Sequence, residues 1–121
     1  MSVIAQRFSG VSTSTPLEAS QTNAGPPTTD DQNMLQAVTT LTSGAWAVAV
    51  GWYRGATLTL PGGETAILIN LLAGSGGDAT HASMWFEGPV GSPGSTQLGG
   101  TGDLSTANDW AMIVVSLRPG P

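Results

Sequence analysis

The sequence predicts an all-β protein, an antiparallel β-sandwich or jelly roll with an extended N-terminal arm. Short blocks of alternating or β-branched apolar residues are separated by turn residues about every 8–12 positions, which is typical of these folds. No segment keeps its apolar residues at the spacing of about 3.6 that an amphipathic helix needs. The chain has 121 residues, which is enough for one domain with a hydrophobic core.

The N-terminal part is predicted to be an arm. Ser2–Phe8 alternates in the manner of a short strand, whereas residues 9–33 are almost all Ser, Thr, Pro, Gly, Asn, Gln or acidic. Such a segment buries too little apolar surface to fold by itself, and Gly25-Pro26-Pro27 favours an extended path. It is therefore either a flexible linker or an arm that becomes ordered by lying on another surface. We divide the chain into this arm, residues 1–33, and a sandwich domain, residues 34–121.

The strand that the sequence marks most clearly is Ala45–Tyr53. Its large and small side chains fall on opposite faces, the large set being Trp46, Val48, Val50 and Trp52 and the small set Ala45, Ala47, Ala49 and Gly51. We expect the large face to fill the core, and the small face to let another sheet or backbone approach closely. A weaker strand, Leu35–Leu41, is predicted before it because its second half is rich in β-branched residues.

Five more strands complete the predicted sandwich. They are Thr57–Leu60, Thr65–Leu72, His81–Glu87, Thr96–Leu98 and Asp109–Leu117. Alternating apolar side chains indicate the longer ones, and the last is strongly β-forming until Pro119 ends its pairing. Turn-forming residues separate the strands, at Pro61-Gly62-Gly63, Gly74–Asp78, Gly88–Gly94 and Gly99–Asn108.

The chain is unusually poor in charge. Charged residues make up 9% of it, against about 25% in an ordinary soluble domain, and the net charge is −5 with no lysine. Arg7, Arg54 and Arg118 are too few and too far apart to bind nucleic acid or an anionic membrane surface. With no cysteine, disulfides and zinc–thiolate sites are excluded. Such a surface must be hydrated through hydroxyls and backbone, or be covered by other copies of protein.

His81 is the single histidine of the chain, so it is the first candidate for catalysis. Ser83 follows on the same predicted strand face, and Asp78 precedes it. A Ser-His-Asp triad needs the histidine nitrogen aimed at the serine oxygen, together with an oxyanion hole. Two strand neighbours that point the same way do not meet that geometry. A hydrogen-bonded surface or interface histidine is the favoured interpretation, and we expect no enzymatic activity.

Metal and phosphate sites are weakly indicated as well. Calcium takes about six to eight oxygen ligands, and no Asp-x-Asp-x-Asp spacing supplies them from the loop acids Asp78, Glu87, Asp103 and Asp109. Gly74–Gly77 is followed neither by a helix nor by Lys-Ser/Thr, as a phosphate-binding loop would be. We therefore expect no metal ion and no cofactor.

Four tryptophans and one tyrosine could form a platform on which sugar rings stack. Trp46 and Trp110 belong to very apolar strands and are predicted to lie inside. Trp52, Tyr53 and Trp85 are the remaining candidates for contact with a glycan or a partner protein. Aromatic side chains that fill the core or a protein interface are the favoured interpretation.

Several short stretches carry a family resemblance. They are Trp46–Val50, Leu60–Glu64, Ser83–Glu87, and Gly102–Ser105 followed by Asp109-Trp110-Ala111. Through them the block from Trp46 to Pro119 resembles small β-sandwich proteins of tailed phages, either capsid decoration proteins or tail-associated proteins. The resemblance implies a virion location, a major capsid protein or other virion protein as partner, and no catalytic residues.

The expected function is that of a non-enzymatic capsid decoration protein. Many weak copies of one contact can hold such a protein on a lattice, and an arm with sheet edges can add strands to neighbouring subunits. The low-charge surface also favours self-association, with a trimer as the expected homo-oligomer. Two alternatives stay open: a carbohydrate-binding or fibre-tip module of a phage tail, and a self-assembling surface protein.

Overall fold

The computed structural model describes residues 5–25, 32–72 and 79–121. These residues form seven antiparallel strands and no helix, so the predicted all-β class is confirmed. In chain order the strands are β1 (Leu17–Ala24), β2 (Leu35–Thr40), β3 (Trp46–Arg54), β4 (Thr65–Leu72), β5 (Thr80–Glu87), β6 (Gly94–Gly99) and β7 (Trp110–Leu117).

Two sheets make up the sandwich. The main sheet has five strands in the order β1-β7-β3-β5-β4, and the second sheet consists of β2 and β6. The core lies between them, where Met34, Val38 and Leu98 from the smaller layer pack with buried residues of the main sheet. We call the side of the main sheet that faces this core the inner face, and the opposite side the outer face.

The small side chains of β3 lie on the inner face, so the expectation that the large face fills the core was wrong, whereas the small face does let the other layer approach closely. Ala47 and Ala49 are fully buried in the core. A Cβ at Gly51 would lie 2.8 Å from the Cε of Met34 and 3.1 Å from the Cη2 of Trp85. The volume above the centre of β3 is therefore filled by large side chains from other strands, and the small residues make room for them.

The N-terminal region differs from its prediction in two places. Residues 5–8 are not in a strand, and the rest of the predicted strand Ser2–Phe8 lies outside the described residues. Leu17–Ala24 is strand β1, which pairs with β7 from Leu17 opposite Leu117 to Ala24 opposite Ala111. This part of the predicted arm is thus ordered on a surface, and the surface belongs to its own chain. Backbone pairing with the open edge of β7 does not require apolar side chains, which is why composition did not reveal it.

Thr57–Leu60 is not a strand. It forms one isolated bridge, in which Leu58 lies opposite Leu104. The amide of Thr59 donates to the carbonyl of Asp103, and the amide of Ser105 donates to the carbonyl of Thr57. The other predicted strands of residues 34–121 appear with ends shifted by at most two residues. The predicted loop Gly74–Asp78 lies outside the described part of the chain.

Candidate functional site on the outer face of the main sheet

Ser83 and His81, two of the groups considered for a catalytic site, are engaged in structural contacts. The Ser83 hydroxyl is buried, lies 2.5 Å from the hydroxyl of Tyr53 and accepts a 2.8 Å hydrogen bond from the amide of Asn70. The imidazole of His81 stacks on the Tyr53 ring, with centroids 5.8 Å apart and planes 7° apart. Asp78 lies outside the described residues. Ser83 is therefore a member of a closed hydrogen-bond network and is not presented to a substrate.

Of the acidic residues considered for calcium, Asp78 lies outside the described residues, and Asp103 and Asp109 are engaged in different contacts. The Asp103 carboxylate accepts hydrogen bonds from the amides of Met34 (2.8 Å) and Gly100 (3.2 Å). Asp109 instead pairs with Arg54 at 3.6 Å on the surface. In the part of the chain that the structure describes, no group of three or more His, Cys, Asp or Glu side chains could hold a metal ion.

Two of the three candidate aromatic contacts are in the core, which corrects that prediction. Tyr53 is 1% exposed and Trp85 is 0% exposed. Both lie on the inner face, because Tyr53 follows the small residues of β3 and Trp85 pairs with Ala49. Trp52, with 41% of its surface exposed, remains available for a contact.

Trp46 is not inside as predicted. It is half-buried on the outer face, edge-on to Phe86 with ring centroids 5.3 Å apart. Trp110 is buried in the core, as predicted.

Apolar side chains cover the outer face of the three central strands. Strand register and alternation place on this face Trp46, Val48, Val50 and Trp52 of β3, Ala82, Met84 and Phe86 of β5, and Ala111, Ile113, Val115 and Leu117 of β7. Not one of these positions carries a charge. An antiparallel sheet that faces water on one side normally alternates apolar with polar residues, so this composition is that of a covered surface.

One end of the outer face is partly covered by the chain itself. Residues 6–9 line a cavity of about 220 Å³ together with Trp46, Ile67 and Phe86. At the other end the face is open, since Trp52 and Ile113 are 41% and 40% exposed. The apolar surface therefore continues beyond what the described N-terminal residues reach.

A shallow hollow lies beside Trp52 at the open end of the outer face. Its volume is about 310 Å³, and the indole of Trp52, the Arg54–Asp109 ion pair and Thr80 line it. An exposed ring next to paired charged groups can stack on an apolar ring face and hydrogen-bond to hydroxyls. This hollow therefore combines a ring that can stack with charged groups that can hydrogen-bond.

The sequence held a signal for the outer face that was not used. In β7 apolar residues occupy five successive positions, 111–115. A strand with one face in water alternates, whereas a run of this kind is typical of strands that are covered on both faces. Ile113 and Val115 could have been assigned to a second covered surface on that ground.

The carboxylate of Glu18 in β1 forms hydrogen bonds with Leu41 and with Ser116 of β7. Its side chain is fully covered, and Oε2 accepts 2.9 Å hydrogen bonds from the Leu41 amide and the Ser116 hydroxyl. Burial acts to raise the pKa of Glu18, but hydrogen bonds from Thr42, Leu41 and Ser116, together with the charge of Arg118, outweigh it. The pKa of Glu18 therefore lies below its ordinary value.

The pKa values of Glu64 and Asp103 are shifted in the opposite direction, above their ordinary values. Burial raises the pKa of both carboxyl groups, and hydrogen bonds from backbone amides offset it only in part. Glu64 accepts bonds from the Gly99 amide at 3.0 and 3.1 Å, while Glu87 and Asp103 repel its charge. The indole of Trp85 also lowers the pKa of Glu64, although its N–H does not meet hydrogen-bond geometry.

These shifts predict a free energy of unfolding that passes through a maximum at acid pH. A raised pKa in the fold means that ionised Glu64 and Asp103 penalise the native state. That penalty fades as the pH falls through their folded pKa values towards the ordinary values of 4.5 and 3.8. The contribution of Glu18 has the opposite sign: it is complete above 4.5 and is lost as the pH falls through its lowered pKa.

Urea unfolding at a series of pH values measures this profile. Stability should rise as the pH falls through the raised pKa values of Glu64 and Asp103, and it should fall at lower pH, where Glu18 becomes protonated. E64Q should flatten the rise, and E18Q should flatten the acid limb. A rise that is as steep in E64Q as in the unaltered chain would contradict the assignment to Glu64.

Comparisons with protein-family models, with curated proteins and with solved structures found no match for this chain. Among the residues that the structure describes, no helix is long and apolar enough to cross a membrane. The candidate site is therefore defined by its own geometry and chemistry.

Proposed function

We propose that this protein is a non-enzymatic structural protein of a virion, a capsid decoration protein that binds through the outer face of its main sheet. The apolar, uncharged character of that face carries the proposal. Contiguous exposed apolar patches of more than a few hundred Å² mark interaction surfaces on proteins. A partner that covers Trp52 and Ile113 removes this surface from water.

The low charge of the chain fits a protein that is held by many identical contacts. On a repeating lattice each contact can be weak, because one bound contact raises the effective concentration for the next, and the overall affinity exceeds that of a single contact. The major capsid protein, or another virion protein, is the partner in this proposal. Attachment is assigned to the outer face and the sheet edges, since Leu17–Ala24 of the predicted arm is engaged with β7.

The direct test is quantitative mass spectrometry of particles purified from the phage or prophage that encodes the chain. A decoration protein should be present in a copy number comparable with that of the major capsid protein, whereas a fibre-tip protein should be present in few copies. Absence of the chain from purified particles would overturn the proposal.

A pair of charge variants tests the assigned surface. I113K puts a charge on the outer face, and T39K puts the same charge on an exposed position of β2 in the other sheet. Particles made without the chain should bind T39K like the unaltered protein and should bind I113K at least about tenfold more weakly, since a buried unpaired charge costs several kcal/mol. Equal binding of the two variants would contradict attachment through the outer face.

The hollow beside Trp52 supports a second candidate, a carbohydrate-binding module. An exposed indole and an ion pair lie together there, and this arrangement suits a sugar ring with its hydroxyls. A glycan array separates the two candidates, because binding that W52A abolishes supports the second. Trp85 is not suited to this test, since its truncation would remove a core side chain.

A further inference from the structure

We propose that a second copy of this chain covers the outer face, with two main sheets packed face to face. This inference rests on the proposed function, and it names a second copy of the chain as the virion protein that covers this surface. It commits to a self-complementary contact formed by the central strands β7, β3 and β5, with Trp52 and Ile113 buried in it.

The distribution of charge favours a second copy as the occupant. In a two-fold contact the same patch meets itself, so a charged residue near the axis meets its own like charge. The eleven outer-face positions named above carry no charge. Arg54, at the end of β3, is charged and forms an ion pair with Asp109. The chain carries a net charge of −5, so this uncharged face is a place where two copies can meet without repulsion.

The absence of charge on this face also argues against a charged partner. Such a partner would find no opposite charge among the central positions, and its own charges would lose their hydration without compensation. An apolar and neutral surface is what the outer face matches best, and an identical outer face is such a surface.

The three central strands supply about half of a standard contact area. At about 4.8 Å spacing, with about eight residues at 3.3 Å rise, they have a flat footprint of roughly 380 Å². The accessible area of a surface with projecting side chains is larger than its footprint. A standard protein interface buries about 800 Å² on each partner, so the flanking strands β1 and β4 must supply the rest of the contact.

The side chains have the form that sheet packing requires. Large residues of β3 project outwards, with Trp46 and Trp52 at its two ends and valines between them. Two sheets pack about 10 Å apart through interdigitated side chains of this kind. The described N-terminal residues occupy only the Trp46 end, which leaves Trp52, Ile113 and their neighbours for the second copy.

Single-cysteine labelling tests the inference on the purified chain alone. Because the chain has no cysteine, I113C introduces one thiol on the outer face, and T39C introduces a matched thiol on the exposed side of β2. With a maleimide reagent, the labelling rate of the I113C thiol should be about tenfold lower when roughly 90% of the chain is associated. Dilution, which dissociates the copies, should restore the faster rate. The T39C thiol should react at one rate at every concentration.

The outcomes separate this inference from the proposed function. Equal labelling of both thiols at all concentrations, or a monomer in sedimentation velocity of the unaltered chain, would overturn the second copy. Protection of I113C only after particles are added would also overturn it, while supporting the proposed function. If I113C is protected in the purified chain and the chain is absent from purified particles, the second copy is supported and the proposed function is overturned. W52C serves as a second outer-face thiol should I113C not fold.

Discussion

Replacing Gly99 with alanine should lower the free energy of unfolding by about 3–5 kcal/mol, out of the roughly 5–15 kcal/mol of a typical domain. Gly99 ends β6 with φ +75, and a Cβ there would overlap the carbonyl oxygen of Met34 and lie 3.1 Å from the Cα of Leu35. Both neighbours are backbone atoms of the paired segment, which cannot move without breaking the β2–β6 pairing. Left-handed strain adds about 1–2 kcal/mol.

Gly102 offers a matched control for this substitution. Its φ is +70, close to that of Gly99, but a Cβ there would have nothing within 4 Å. G102A should therefore cost only the left-handed strain of about 1–2 kcal/mol. Urea unfolding measures the free energies of unfolding of G99A and G102A. The dependence of these free energies on urea concentration should be unchanged if the denatured state is unaffected. A G99A midpoint no lower than that of G102A would show that the overlap with Met34 is relieved.

Replacing Asn70 with alanine should cost about 3–5 kcal/mol, because it leaves the amide and carbonyl of Leu58 without partners and removes one of the two partners of the Tyr53 hydroxyl. The Asn70 Oδ1 accepts hydrogen bonds from the Leu58 amide (2.7 Å) and the Tyr53 hydroxyl (2.6 Å). Its Nδ2 donates to the Leu58 carbonyl at 3.2 Å. Leu58 is buried, and the backbone bonds around its bridge to Leu104 are made by its neighbours. Asn70 therefore satisfies both backbone groups of Leu58.

Two further variants divide this effect into its parts. N70G loses the same hydrogen bonds but relieves the left-handed conformation of Asn70, whose φ is +55, so it should be about 1 kcal/mol less destabilising than N70A. Y53F removes one hydroxyl and leaves the bonds to Leu58 in place, and it should cost about 1–2 kcal/mol. Thermal or urea unfolding of the three variants gives the comparison. Equal losses for Y53F and N70A would contradict the role assigned to Leu58.

Alternation predicted where the strands run but not which face of a strand is covered. In β3 the pattern separated tryptophans and valines from alanines and glycine correctly. Packing then placed the small side, around Gly51, against the core, because Met34 and Trp85 bring the volume from other strands. Large residues mark a surface that requires cover, and the sequence does not say whether the cover comes from the same chain.

The candidate site was predictable only in part. Trp52 was correctly kept as a surface aromatic, whereas Tyr53 and Trp85 proved to be core residues. Ile113 was missed, although it belongs to an apolar run on both faces of a strand. The hollow at Trp52 joins β3 to Asp109 and Thr80, and residues so far apart in sequence have no local pattern that connects them.

The sequence by itself determined the β class, most strand positions and the low-charge character of the surface, because these follow from local periodicity and composition. Tertiary structure decided that β1 joins the main sheet, that the small face of β3 points inwards, and that the Trp52–Ile113 end of an apolar face is left exposed within the described chain. These features depend on which segments distant in sequence come into contact. Backbone pairing and packing volume determine those contacts, and neither produces a periodic pattern in the local sequence.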